Sequence, residues 1–244
     1  SESPVIAGSI GTVSVPSQVG FNEAHRGSLT FKNTRVQMAG AYFSAEGNNK
    51  FVFHCRENGV STPLVAKIYN TRQRVSNQAA YLSELYLNSR ARFFADAFNA
   101  TRATNIYIAP VKQSYFRASN PSPKHHDLQH YLIEEFIPGK LVKFNNNSGW
   151  VHPDAADGGS AEVAQAFSHF TYKHSNFKEI FVDIQGQHTA DRLVVFDMAC
   201  HTRDKKGDLE PMNWGQQGIE AFFKTHKCGE TCDNLNLRRF VPQI

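Results

Sequence analysis

Hydrophobic and polar positions change period along this chain. Between about residues 27 and 70 the apolar runs are short and strand-like. They are Leu29-Thr30-Phe31, Gly40–Ala45, Phe51-Val52-Phe53-His54-Cys55 and Leu64–Tyr69, separated by turn formers such as Glu46-Gly47-Asn48-Asn49. That alternation predicts antiparallel meanders. Residues 1–20, rich in Ser, Gly, Val and Pro, read as a flexible or edge-strand leader. Over 74–98 the period lengthens: Leu82, Leu85, Tyr86, Phe93 and Ala97 recur at helical steps, which predicts one long helix. Ile106–Val111 reads as a strand, Ser114–His130 as a loop, and Tyr131–Ile137 as a strand ended by Pro138-Gly139. Lys143–Gly149 reads as a loop by composition. The second half is mixed. A helix is expected over Ala161–Lys173, strands over Ile180–Ile184 and Leu193–Phe196, and a helix from Ile219 to Thr225. The order, β-rich and then helix-rich with an extended joint near 135–140, predicts an α+β fold of two lobes with a cleft between them.

Composition adds limits. The 244 residues can bury a sizeable core, and 41% hydrophobic with 20% charged residues excludes a wholly disordered chain. No run approaches the roughly 20 apolar residues of a membrane helix, so no membrane span is expected. The start, Ser1-Glu2-Ser3-Pro4, carries no secretory signal pattern. The net charge of +4 comes from interspersed charges, a poor nucleic-acid signal that suits a small polyanion better. Four cysteines, Cys55, Cys200, Cys228 and Cys232, are too sparse for a disulfide scaffold.

Two of those cysteines sit in His226-Lys227-Cys228-Gly229-Glu230-Thr231-Cys232, an H-x-C-x3-C pattern. Three nitrogen and sulfur ligands this close can wrap a tetrahedral ion, and zinc is the usual one. A fourth ligand must come from elsewhere. Lys67, on the apolar strand Val65-Ala66-Lys67, is a candidate phosphate contact, although a lone strand lysine is more often a surface residue. Asp183, after Ile180-Phe181-Val182 and three residues before Gly186, sits where a general base or metal ligand is often found; Asp197 is a similar case. The alternative for both is a carboxylate that caps a turn. Asn213-Trp214-Gly215-Gln216-Gln217-Gly218 precedes a helix and could approach an anion or form a simple turn. No Walker loop is present.

In order along the chain, these segments resemble the alpha-kinase family of atypical protein kinases. The resembling pieces are Val65-Ala66-Lys67; Glu134–Gly139 with Lys143–Asn147; Phe167–Tyr172; Asp183–Gly186; Asp197 with His201-Thr202; Asn213–Ile219; and Phe222-Phe223 with His226-x-Cys228-x3-Cys232. The resemblance implies a serine/threonine protein kinase that uses ATP and magnesium and acts on a protein substrate. Its pieces span about residues 40–240, and 1–244 would be a single catalytic domain, with an N-lobe over 1–134 and a C-lobe over 135–244, in the cytoplasm. Lys67 would contact the ATP phosphates, and the backbone at Glu135 and Ile137 would read adenine. Asp183 would be the catalytic aspartate, with Gln185 and Asp197 on magnesium. Asn213, Gly215 and Gly218 would shape the site near nucleotide and peptide. Zinc would be held by His169, His226, Cys228 and Cys232, with His201 as a rival ligand.

The chain departs from the family pattern in places. Asp183 and Asp197 are 14 residues apart (197 − 183), longer than usual, and Asp191 inside that stretch is an alternative metal ligand. Met198-Ala199 replaces a proline-glutamine, and Glu210 and Met212 stand where glycines are common. The stretch Ala39-Gly40-Ala41-Tyr42 lacks an obvious following arginine, with Arg35 only a candidate. A nucleotide-binding pseudokinase and a zinc-stabilised interaction module are therefore the alternatives. Asn99-Ala100-Thr101 and Asn146-Asn147-Ser148 match the glycosylation pattern, but cysteines committed to zinc argue for a reducing compartment.

Overall fold

In a computed structural model the described residues are 5–14, 28–39, 41–46, 50–70, 77–119, 129–156, 159–204 and 212–242. Gly40, the turn at Gly47–Asn49, Glu210 and parts of the expected leader and of the 114–130 loop lie outside them. The chain is α+β and divides into two compact units. The first holds the N-terminal strands, one helix as far as Ser89, and Lys112–Phe136; the second takes Arg90–Val111 and everything from Ile137.

The first unit is built on one antiparallel sheet. Its strands are β1 (Val5–Val13), β2 (Leu29–Met38), β3 (Ser44–Glu46), β4 (Lys50–Glu57), β5 (Leu64–Tyr69), β7 (Gln113–Ala118) and β8 (His130–Glu135). They are ordered β2-β1-β7-β8-β5-β4-β3, and β2 also pairs with β4, so six of them close a ring. Closure hides the sheet edges that an open sheet would present. β1 lies between β2 and β7 and is therefore no edge-strand leader. Its alternation Val5-Ile6-Ala7-Gly8-Ser9-Ile10 sends Ile6 and Ile10 into the core with Val36, Met38, Phe53, Ala66, Ile68, Phe116 and Ile133. The expected loop over 114–130 begins instead as β7, because Tyr115 and Phe116 carry strand burial on both faces. The other face of the sheet is covered by helix α1 (Gln78–Ala100), whose Tyr81 and Leu85 pack on Tyr69, Tyr115 and Leu132.

The second unit carries a four-stranded sheet, β6-β12-β11-β9, and a two-stranded one, β10-β13. The strands are β6 (Tyr107–Pro110), β9 (Val142–Lys143), β10 (Glu179–Val182), β11 (Gln185–Thr189), β12 (Arg192–Phe196) and β13 (Ala199–Thr202). The helices are α2 (Gly159–His174), α3 (Gln216–Thr225) and α4 (Glu230–Asn234). Tyr172, Ile180, Val182, Ala199, Ile219, Phe222 and Phe223 form its core. Arg90, on the later turns of α1, is buried in a bidentate ion pair with Glu179 at the start of β10. Among the described residues no helix is long and apolar enough to cross a membrane.

Candidate functional site

Within the first unit, Lys67 does not stand on an open surface. It is 1% exposed, and its Nζ lies 2.5 Å from Glu134 Oε1. Strand register explains the pair. Lys67 lies opposite Leu132, so Glu134, two residues along β8, falls on the same face. Gln113 opposite Glu134, and Lys50, two residues from the Val52 that faces Lys67, share it too. Lys50 Nζ binds Glu84 Oε1 of α1 at 2.6 Å, and Tyr69 donates its hydroxyl to Glu84 Oε2 at 2.6 Å. Lys50 is thus the second cation of this face, where the sequence offered only Arg35. Arg35 is exposed on β2 opposite Ala7. Glu135 ends β8 exposed, and Ile137 is half-buried after Phe136, whose N–H is taken by the Pro63 carbonyl.

In the second unit, β11 and β12 form a hairpin in which Gln185 pairs with Phe196 and, on its other side, with Lys143. Asp183 and Asp197 are the residues just outside its base, so the register brings the two carboxylates, Gln185 and Lys143 together. Lys143 Nζ lies 2.7 Å from Asp183 Oδ1. Both aspartates have left-handed backbone, φ 60° and 50°. A short polar side chain tolerates that conformation better than most, but it is strained and concentrates at functional positions. Burial pushes the Asp183 carboxyl up; the Lys143 ammonium pulls it down, and the neighbouring Asp197 raises it again. Gly186 is required by packing: a Cβ there would fall 1.8 Å from the Val194 carbonyl. Asp191 sits at the far tip, exposed beside Arg192 and beyond the fifth residue pair, four steps or about 14 Å from the base. The residues between Asp183 and Asp197 fold into the β11–β12 hairpin.

Asn145 fixes this base from behind. It is 1% exposed, accepts the Ile184 N–H at 2.9 Å and donates to Ser168 Oγ at 3.0 Å. Lys143 and Asn145 fall in the Lys143–Gly149 segment whose composition predicts a loop; the pairing of β9 with β11 sets Lys143 opposite Gln185, and Asn145 follows it. The loop before α3 is held differently. Asn213 Oδ1 accepts the N–H groups of Thr202 and Gly215, and its Nδ2 donates to Thr202 Oγ1 at 2.8 Å. Gly215 has φ 65°, and Gly218 leaves room for His201, whose ring would lie 2.3 Å from a Cβ. His201 accepts the Trp214 N–H at Nδ1 and donates from Nε2 to the Asn147 carbonyl. Burial lowers its pKa. With both nitrogens engaged, it does not join the metal-type cluster.

That cluster is His169 on α2, His226 after α3, and Cys228 and Cys232 at α4, four ligand atoms within 4.8 Å of one another. The nitrogens are 3.1 Å apart, and the sulfur–nitrogen distances run from 3.5 to 3.8 Å. A tetrahedral zinc, with Zn–N about 2.0–2.1 Å and Zn–S about 2.3 Å, spaces such pairs by about 3.4 and 3.6 Å. Burial drives the two imidazoles down, His169 to about 4 and His226 to about 3, and raises both thiols. Neutral imidazoles are ready ligands, whereas the thiols need a cation to ionise. Buried Glu162 accepts the N–H and hydroxyl of Thr231 at 3.1 and 2.6 Å, which ties α4 to α2. Arg238 pairs with Asp233 and donates to the Cys228 carbonyl. Cys55 and Cys200 are buried thiols outside any disulfide; burial pushes Cys55 up to about 12.

Residues 45–232 match the model of the alpha-kinase family. The chain belongs to the alpha-kinase family. Among curated relatives, it is 32% identical over 205 residues to myosin heavy chain kinase B of Dictyostelium discoideum, covering 82% of this chain and 25% of the relative. Alpha-protein kinase vwkA of the same organism is 33% identical over 165 residues, covering 67% of this chain and 25% of the relative. Mouse (Mus musculus) eukaryotic elongation factor 2 kinase is 38% identical over 167 residues, covering 67% and 21%. The chain thus spans a quarter or less of the length of these relatives. In structure it resembles an alpha kinase from Entamoeba histolytica (TM-score 0.82, 20% identity, 100% of this chain and 94% of the other). It also resembles the inactive alpha-kinase domain of myosin heavy chain kinase A in complex with ATP (TM-score 0.76, 23% identity, 97% and 98%). At these identities the likeness shows the alpha-kinase fold.

Proposed function

We propose that this alpha-kinase chain is one catalytic domain that transfers the γ-phosphate of Mg-ATP to a serine or threonine hydroxyl of a protein. The observation that carries the reading is the hairpin base: Asp183 and Asp197 in strained backbone beside the Gln185 pairings, with Asp183 held by Lys143. Phosphoryl transfer needs positioning and charge neutralisation more than covalent chemistry. Lys67 would meet the phosphates, with Lys50 as a second cation on its face. The backbone at Glu135 and Ile137 would take the adenine. Asn213 with Gly215 and Gly218 would hold the wall nearest the peptide. Asp183 would orient the acceptor hydroxyl and take its proton as the new bond forms, with Lys143 steadying the carboxylate. A carboxylate and an amide oxygen suit a hard cation, so Asp197 and Gln185 would hold magnesium, which offsets phosphate charge when bound. The two histidines and two cysteines would hold a structural zinc, since a closed four-ligand set leaves no position for water. A metal-committed cysteine pair suits a reducing compartment, and the cytoplasm is the proposed location.

The test is Asp183→Asn, which keeps a residue tolerant of left-handed backbone. Phosphate transfer to a serine/threonine peptide panel should fall about 10³-fold. The melting temperature should hold or rise, because a buried carboxylate with a raised pKa costs stability once pH climbs above that pKa. A variant with full turnover would overturn the assignment of Asp183.

A further inference from the structure

Gln113 stands between two ion pairs that no phosphate role accounts for by itself. It is 5% exposed at the first position of β7. Its Nε2 donates to Glu84 Oε1 at 3.2 Å and to Glu134 Oε2 at 3.3 Å. Glu134 holds Lys67 through its other oxygen, and Glu84 holds Lys50. Around Gln113 this face therefore carries two cations and two carboxylates, joined by one neutral amide, with Arg117 further along β7 opposite His130. An amide nitrogen has two hydrogens, one for each carboxylate, and bridges them without adding charge. A lysine or arginine would add a positive charge, and a hydroxyl has one hydrogen for two acceptors. The orientation is fixed as well, because the flipped amide would aim its oxygen at both carboxylates. In the observed orientation Gln113 Oε1 is buried with no hydrogen-bond partner among the described residues. Such an orphan is unfavourable and calls for an explanation.

We propose that Gln113 is a positioning residue that anchors Glu134 so that Lys67 can share its charge with the ATP phosphates. The inference rests on the reading that Lys67 contacts those phosphates. A carboxylate with a second donor on its far oxygen draws less on Lys67, and it stays in place when the ammonium turns toward a polyanion. Without that donor, Glu134 concentrates its charge on Lys67 and competes with the nucleotide. The groups that face Gln113 are Lys50 on β4, Lys67 and Tyr69 on β5, Glu84 on α1 and Glu134 on β8. Tyr81, Tyr115 and His130 lie further along the same face.

The experiment measures kcat and KM for ATP with the full chain, as wild type, Gln113→Leu, Gln113→Glu and Lys67→Met. Gln113→Leu should raise KM for ATP about tenfold with kcat nearly unchanged. Gln113→Glu is isosteric and guards against a misfolded leucine variant. Protonated, its carboxyl donates one hydrogen bond; ionised, it is a third carboxylate that competes for Lys67. Its KM relative to wild type should therefore climb with pH, which a packing role would not produce. A Gln113→Leu KM equal to wild type, or a Gln113→Glu ratio flat in pH, would overturn the proposal while leaving the Lys67 reading intact, provided Lys67→Met is impaired. A Lys67→Met variant with wild-type KM would overturn both.

Discussion

The second unit holds two four-residue clusters that have opposite physics. The hairpin base (Lys143, Asp183, Gln185, Asp197) is partly exposed, charged and held in strained backbone. The histidine–cysteine cluster has His169 and Cys232 buried with His226 and Cys228 half-buried, and burial drives all four groups toward their neutral forms. In the proposed function the first arrangement would keep its charges ready for a substrate, at a cost in stability. The second gains stability only if a cation enters, and it sits where α2, α3 and α4 must be joined. In the proposed function one cluster would serve chemistry and the other the fold, so substitutions at the hairpin base should separate activity from stability.

The largest effect should come from the buried cluster. Structural zinc contributes on the order of 10 kcal/mol to small metal-dependent folds, comparable with the whole stability of a domain. Cys232→Ser should lose the metal and the cooperative melting of the second unit, with activity lost as a consequence. Elemental analysis should find about one zinc per chain in wild type and none in the variant. A Cys232→Ser protein with a full zinc complement and an unchanged melting curve would break the comparison.

The two clusters also differ in how far the sequence discloses them. Three of the four metal-type ligands fall within seven residues, and their spacing is a chemical statement by itself. The fourth, His169, needed the family resemblance, because α2 packing is not written in local spacing. At the hairpin base almost nothing is local. Asp183 and Asp197 stood out as strand-end carboxylates, but Lys143 and Asn145 looked like loop, since a two-residue strand has no period to detect. The same holds for Glu134, Gln113 and Lys50. Their alternation is visible in the sequence, yet which of them face Lys67 depends on pairing β4, β5, β8 and β7 across large separations. The strand β1 was underestimated because Gly and Ser dilute its apolar face.

An intermediate effect is expected at Asn145, which belongs to the structure behind the base. Asn145→Ala leaves the buried Ile184 N–H without its acceptor, a loss of about 1–3 kcal/mol. The chain entering Asp183 is then less well held, and turnover should fall about tenfold. The two readouts should move together here, unlike at Asp183. A variant that loses stability with unchanged kcat would show that Asn145 supports only the fold.

The smallest effect, and the one most particular to the base, is a shift in pH dependence. Asp183 must be ionised to take a proton, and burial holds its carboxyl above the ordinary value of 3.8. Activity should therefore fall on the acid side with a midpoint above that value. Lys143 works against the rise, through its charge and its contact with the carboxylate. Removing the ammonium in Lys143→Met takes away the term that lowers the pKa and leaves burial and Asp197, which both raise it. The acid limb should move to higher pH, with most of the turnover recovered on the alkaline side of it. Lys143 is 43% exposed, so solvent screens the pair and the displacement should be modest. The melting temperature should barely change, because an exposed ion pair adds little stability. An acid limb that stays in place, or moves downward, would mean that Lys143 does not tune Asp183, and the contrast between a charged, chemically poised cluster and a neutral, structural one would lose its clearest electrostatic support.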